Sequence, residues 1–192
     1  MFLSLVKQVN FMSRTLTCIL LSVVFPHQVL ASPLTKNKDV TLVQSDVVDY
    51  QLDGKRLFAL NQSGELRVNE GLSKQADWVL VAEQVAMFHA DSSVIGTQAR
   101  FVYLTNNGVL WLHTGDLASK AQVINEQLNA TVASVKVSWP YIGVVDNLNN
   151  LYVRDQSGVW HHMASAIETF NLSGDTLGFI NKNGGYYEQP LP

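Results

Sequence analysis

Four stretches of the chain share one grammar. They are Leu57-FALNQSGELRV, Phe101-VYLTNNGVLWL, Ile142-GVVDNLNNLYV and Leu177-GFINKNGGYYE. Each is an apolar run, a polar position (Asn61, Thr105, Asp146, Asn181), a turn and a second run. Gly64, Gly108 and Gly184 align in the turn, and Asn149 takes that place in the third copy. Glycine reaches positive φ without steric cost, and asparagine is the next best residue for it. Such a turn between two β-rich runs is a hairpin signal, and a hairpin written four times constrains the whole fold.

The similarity extends upstream. Tyr50 lies seven residues before Leu57, as Phe170 does before Leu177. Val85–Phe88 and Val135–Val137 hold the same place in the middle copies. Further back, Trp78 is ten residues before Phe88, Trp160 ten before Phe170 and Val40 ten before Tyr50, with Leu128 near that place in the third copy. The unit is thus four short strands of about 40 residues, the signature of a propeller blade. No helical periodicity is sustained. Residues 116–129, DLASKAQVINEQLN, fit a helix or a long loop with one strand.

The expected fold is therefore all-β, a small four-bladed β-propeller. If the Trp78-type strand is the outer strand of the preceding blade, the last blade lacks its own. The N-terminal strand Val40–Val43 is then left to close that blade and remove an open edge. The alternative is an arc of four units that closes by dimerising.

Residues 1–31 read as a signal peptide. Lys7 and Arg14 precede the apolar run Leu16–Phe25, which is short for a bilayer span, and Val29 and Ala31 suit a cleavage site after Ala31. Met12 is an alternative start of translation, and retention of the run as an anchor is an alternative fate. Residues 32–39 are expected to be a mobile tail and residues 40–192 the propeller domain. The one cysteine, Cys18, lies in the leader, so the mature chain has neither disulfides nor thiolate metal sites. It keeps 11 basic and all 16 acidic residues, a net −5, without a basic patch for nucleic acid. No stretch past residue 31 is long and apolar enough for a membrane span.

The segment WHHMASAIETFNLSGDTLGFINKNGGYY, from Trp160 to Tyr187, resembles a tectonin/tachylectin-type propeller repeat, with a Trp-led strand, an apolar strand and a glycine hairpin. IGVVDNLNNLYVRDQSGVW, from Ile142, has the same style. The resemblance covers about residues 40–188. Departures are the absence of the tryptophan from two copies, the lost glycine of the third, and four copies where the family usually has five or six. The resemblance implies a secreted, lectin-like module.

Sugar recognition needs aromatic platforms and hydrogen-bonding side chains. The second hairpin strand supplies two columns, Arg67/Trp111/Tyr152/Tyr187 and Asn69/His113/Arg154/Gln189. The first is either stacking platforms or inter-blade core; the second lies near a strand end, where exposure should begin. Trp139-Pro140-Tyr141 breaks the repeat and is a further candidate. Candidate ligand-binding residues are thus Trp111, His113, Arg154, Tyr152, Trp139 and Tyr141. Trp78 and Trp160 read as packing pegs.

His161 and His162 point to opposite faces of a strand and cannot easily share an ion. No metal or cofactor is expected. Nucleophile-elbow, Walker and dinucleotide motifs are missing, and Asp49, Asp53, Asp91, Asp146, Asp155 and Asp175 read as turn residues. The expectation is an exported (periplasmic or extracellular), non-enzymatic protein recognising glycan or cell-surface carbohydrate. The alternatives are a protein–protein interaction propeller, adaptor or inhibitor, and, more remotely, a propeller hydrolase.

Overall fold

The computed structural model describes residues 45–53, 56–71, 77–91 and 100–192. The signal peptide, the tail and the expected closing strand Val40–Val43 lie outside the described residues.

Fifteen strands form four antiparallel meanders, with no helix among the described residues. The first sheet is β1 (Val47–Asp53), β2 (Arg56–Asn61), β3 (Leu66–Asn69) and β4 (Trp78–Ala82). The second is β5 (Val85–Ala90), β6 (Arg100–Thr105), β7 (Leu110–Thr114) and β8 (Gln122–Val123). The third is β9 (Val132–Ser138), β10 (Tyr141–Asp146), β11 (Leu151–Arg154) and β12 (Trp160–Ala164). The fourth has three strands, β13 (Ile167–Ser173), β14 (Thr176–Asn181) and β15 (Tyr186–Pro190). The repeat register is the one the sequence predicts: Tyr50 pairs with Ala59, Phe88 with Tyr103, Val135 with Val144 and Phe170 with Phe179.

The hairpins between the second and third strands explain the turn motif. Gly64, Gly108 and Gly184 have φ of 82°, 82° and 79°, and Asn149 stands at 65°. The polar residue before each turn organises it. Asn61 Oδ1 accepts from Glu65 N at 2.8 Å, Asp146 Oδ1 from Asn150 N at 2.8 Å, and Asn181 Oδ1 from Gly185 N at 2.9 Å. Thr105 substitutes with its hydroxyl, which donates to Val109 O at 3.0 Å. These are side-chain mimics of backbone turn bonds.

Residues 116–129 resolve into a loop carrying the two-residue strand β8. Leu128 is therefore not in the outer strand, contrary to the repeat alignment. It is buried in the core between the second and third sheets. Trp160 opens β12 as expected, packs on that core and donates its Nε1–H to Ile124 O at 2.9 Å. Asp155 turns the chain into that strand, with the Ser157 hydroxyl and then His161 holding its carboxyl well below the usual range. His162 instead contacts Ser165 Oγ at 3.1 Å.

Side chains alternate across a strand, so each sheet has a face turned back along the chain and one turned forward. The forward face of the first sheet (Phe58, Leu60, Leu66, Val68) packs on the backward face of the second (Phe88, Ala90, Phe101, Tyr103). Val102, Leu104, Leu110 and Leu112 meet Val135, Val137, Ile142 and Val144 in the same way. Val145, Leu151 and Val153 meet Phe170, Leu172 and Leu177. Three apolar cores thus join four sheets in chain order. Among the described residues no core joins the fourth sheet back to the first. The inner strands agree: among the described residues β1 packs beside β5, β5 beside β9 and β9 beside β13, and β13 and β1 do not pack to that extent.

Candidate functional site

Each inner strand carries a polar residue at one shared register position: Gln51, His89, Lys136 and Asn171. The first two rivet neighbouring sheets. Gln51 Oε1 accepts from Ala90 N at 2.8 Å, and its Nε2 donates to Phe88 O at 3.2 Å. His89 Nδ1 accepts from Val137 N at 3.1 Å, at the equivalent place one sheet on. That bond assigns the neutral tautomer with its proton on Nε2. Burial, and then the nearby Lys136 ammonium, push the His89 pKa down and favour this neutral form. Lys136 has no acceptor and cannot continue the series. Its Nζ instead lies 5.6 Å from the centroid of the Phe170 ring.

His89, Lys136 and Asn171 line a groove of about 440 Å³ over the ends of β5, β9 and β13. His89 and Asp91 line it from the end of β5, Lys136, Ser138 and Trp139 from the end of β9, and Asn171 to Gly174 from the end of β13. Trp139 is fixed from two sides. Its backbone N–H donates to Asp91 Oδ2 at 2.6 Å, and the Arg100 guanidinium sits 3.9 Å from its ring centroid. Arg100 Nη1 donates to Pro140 O at 3.0 Å across the cis Trp139–Pro140 peptide. Burial, and then the Arg154 guanidinium, lower the pKa of Arg100, with Asp91 opposing them. The Nε atoms of Arg100 and Arg154 are both buried without a hydrogen-bond partner. Lys136, His89 Nε2 and the Asn171 amide supply donors along the groove, and the Asp91 carboxylate already accepts the Trp139 N–H, so the groove can receive acceptors such as backbone carbonyls or a carboxylate.

The six candidates from the sequence are dispersed. Trp111 packs against the core between the first two sheets and stacks with Tyr103 at 6.2 Å. Tyr152 packs against the next core. The first column is thus used in inter-sheet packing at both positions; in the fourth sheet Tyr187 is exposed and stacks on Phe179 at 5.3 Å. The second column does not open to solvent as expected. Asn69 and His113 are buried, His113 against the Phe101 ring. His113 stacks on Phe101 at 4.7 Å, with burial lowering its pKa. Arg154 is half-buried, and Tyr141 donates its hydroxyl to Pro192 O at 2.9 Å while packing on the third core. Only Trp139 reaches the groove, with Arg154 in the neighbourhood of its Arg100 support. His89, Lys136 and Asn171 were not singled out from the sequence; the signal was a polar residue recurring at one position of the inner strand.

No family model and no curated protein matches the sequence. Solved structures do match the fold. Human WBSCR16 aligns with a TM-score of 0.58 and 8% identity, covering 75% of this chain and 47% of that one. The computationally designed Ika4 protein aligns at 0.53 and 12%, covering 78% of this chain and 93% of that one. YCF48, solved bound to D1 peptide, aligns at 0.50 and 10%, covering 72% of this chain and 47% of that one. The likeness makes this chain a β-propeller-type fold. It spans under half the length of WBSCR16 and of YCF48.

Proposed function

We propose that this protein is a non-enzymatic interaction propeller, set outside the cytoplasm by its leader, that holds an extended, acceptor-rich peptide segment of a protein partner in the groove over β5, β9 and β13. The observation that carries this reading is the row of donors from His89 Nε2, Lys136 and Asn171 beside the rigidly held Trp139 ring. YCF48, a propeller-type neighbour solved with a peptide, supplies a precedent for the architecture. Carbohydrate recognition, which the tectonin-type resemblance implies, has less to stand on, since Trp111 and Tyr152 are engaged in packing.

Selection of peptides from a displayed random library tests the proposal. Acidic peptides or free C-termini should be enriched, and Lys136→Glu should weaken the selected peptide by at least about tenfold, as like charge replaces opposite charge at close range. Circular dichroism should show the variant folded. Peptides that bind Lys136→Glu as well as the native chain would reject this site. A glycan array on which binding depends on Trp139 would favour the carbohydrate reading.

A further inference from the structure

The two ends of the sheet series carry faces built like the three internal interfaces, yet left uncovered. On the backward face, Phe88, Val135 and Phe170 are 4%, 6% and 3% exposed, whereas their equivalent Tyr50 is 69% exposed. At the next inward position Ala90, Val137 and Leu172 are 5%, 3% and 7% exposed, and Leu52 is 55%. On the forward face, Leu66, Leu110 and Leu151 are fully buried, and their equivalent Tyr186 is 63% exposed.

The two faces are complementary. In the third interface Gly143 leaves room for the Phe170 ring; a Cβ there would lie 2.4 Å from Phe170 Cε2. Gly178 holds the same register position in the fourth sheet. The nearest atoms to its missing Cβ belong to the sheet's own Tyr186, whose hydroxyl would be 3.0 Å away. The ring that repeat geometry would place over Gly178 is that of Tyr50. Asn171 is exposed at the position from which Gln51 and His89 accept a backbone N–H of the next inner strand. The charges match as well. Arg67 stands where the other sheets carry Trp111, Tyr152 and Tyr187; Glu188 stands where they carry Val68, Leu112 and Val153. Each is the one charged member of its set, and the signs are opposite. At present Arg67 meets Glu65 of its own sheet at 3.2 Å, and Glu188 accepts the Tyr186 hydroxyl at 2.6 Å.

We infer that these faces bind each other between two copies of this chain, the fourth sheet of one packing on the first sheet of the other. Among the described residues the four sheets pack in chain order, and no core joins the fourth to the first. Two such series related by a two-fold axis close into one ring with two identical interfaces and no free face. Both interfaces would repeat the packing already seen between the internal sheets. Neither requires the peptide groove to be functional.

Light-scattering mass determination on the purified full-length protein, from micromolar concentrations upward, tests this. A discrete two-chain particle is expected. Arg67→Glu and Glu188→Arg, each folded by circular dichroism, should each raise the dimer Kd by at least about tenfold through like-charge contact, and the double exchange should recover it. Gly178→Val should block the Tyr50 ring and give a folded monomer. A monomer at tens of micromolar, with Tyr50 covered from within its own chain, would overturn the inference. So would assemblies that lengthen with concentration, a Gly178→Val protein that still dimerises, or a double exchange that fails to recover association.

Discussion

Asn149 and Gly143 show how single residues carry the repeat. Asn149 holds a φ of 65° that three sister turns leave to glycine. Asn149→Ala should cost about 1 kcal/mol, the penalty of a Cβ in the left-handed region, and Asn149→Gly should be close to neutral; urea unfolding separates the two. Gly143→Ala drives a Cβ into the Phe170 ring and should cost about 1–3 kcal/mol, as overpacked cores do, while near Gly178 the closest atoms belong to the exposed Tyr186 side chain and Gly178→Ala should cost far less. The turn glycines were legible in the sequence because positive φ selects residue type. Gln84 and Ala166, at φ of 56° and 58° in the links between sheets, were not, because neither residue type announces that backbone. Two histidines, the half-buried His89 and the buried His113, set the pH response. His89 and His113 both have folded pKa values below the ordinary 6.5, burial being the first cause. Each therefore takes up its proton more readily in the unfolded chain. Their contribution is complete above the unfolded value and is lost as pH falls below about 6.5. The Tm should drop between pH 7 and pH 5, and His113→Phe, which keeps the stack on Phe101 without a titrating group, should flatten that slope. Asp146 adds a second loss at more acidic pH. Burial raises its pKa, but the amide and side chain of Asn150 and the Leu148 N–H outweigh that and hold it low.

Strand identity followed from pattern. The apolar runs around the aligned turn residues became β2/β3, β6/β7, β10/β11 and β14/β15, with pairing as the repeat required. The outer strands were harder, since they are short and bury only one side. Two of them open with the aligned tryptophans, Trp78 in β4 and Trp160 in β12. The second sheet has no such residue there, and spacing alone misplaced its outer strand at Leu128. That loop is held instead by the Trp160 indole bond to Ile124 O and by Asn125, whose Oδ1 accepts from Leu110 N at 3.0 Å. Trp160→Phe should cost about 1 kcal/mol for the lost hydrogen bond, and Trp160→Ala about 3–5 kcal/mol through the cavity in the second core, both read from chemical denaturation. The candidate site was less legible than the strands. A column of aromatics is the same pattern whether it packs a neighbour or faces a ligand; only the distance between sheets decides, and that distance is not written locally.

At the scale of the whole molecule, repetition predicts how many sheets there are but not how the series ends. Gln51, His89, Phe88 and Phe170 work because another sheet follows or precedes them. Tyr50, Leu52, Asn171 and Tyr186 have the same design without that neighbour. The charged exceptions, Arg67 and Glu188, occur only at the two ends, where a face must stay soluble before it is covered. The account therefore rests on whether Tyr50 becomes buried through association. Hydroxyl-radical footprinting of Tyr50 and Tyr186 across a dilution series measures this directly. Both rings should be protected at high concentration and become reactive together on dilution, while Phe88 and Phe170 stay protected throughout. Reactivity at Tyr50 that does not change with concentration, whether high or low, would contradict it.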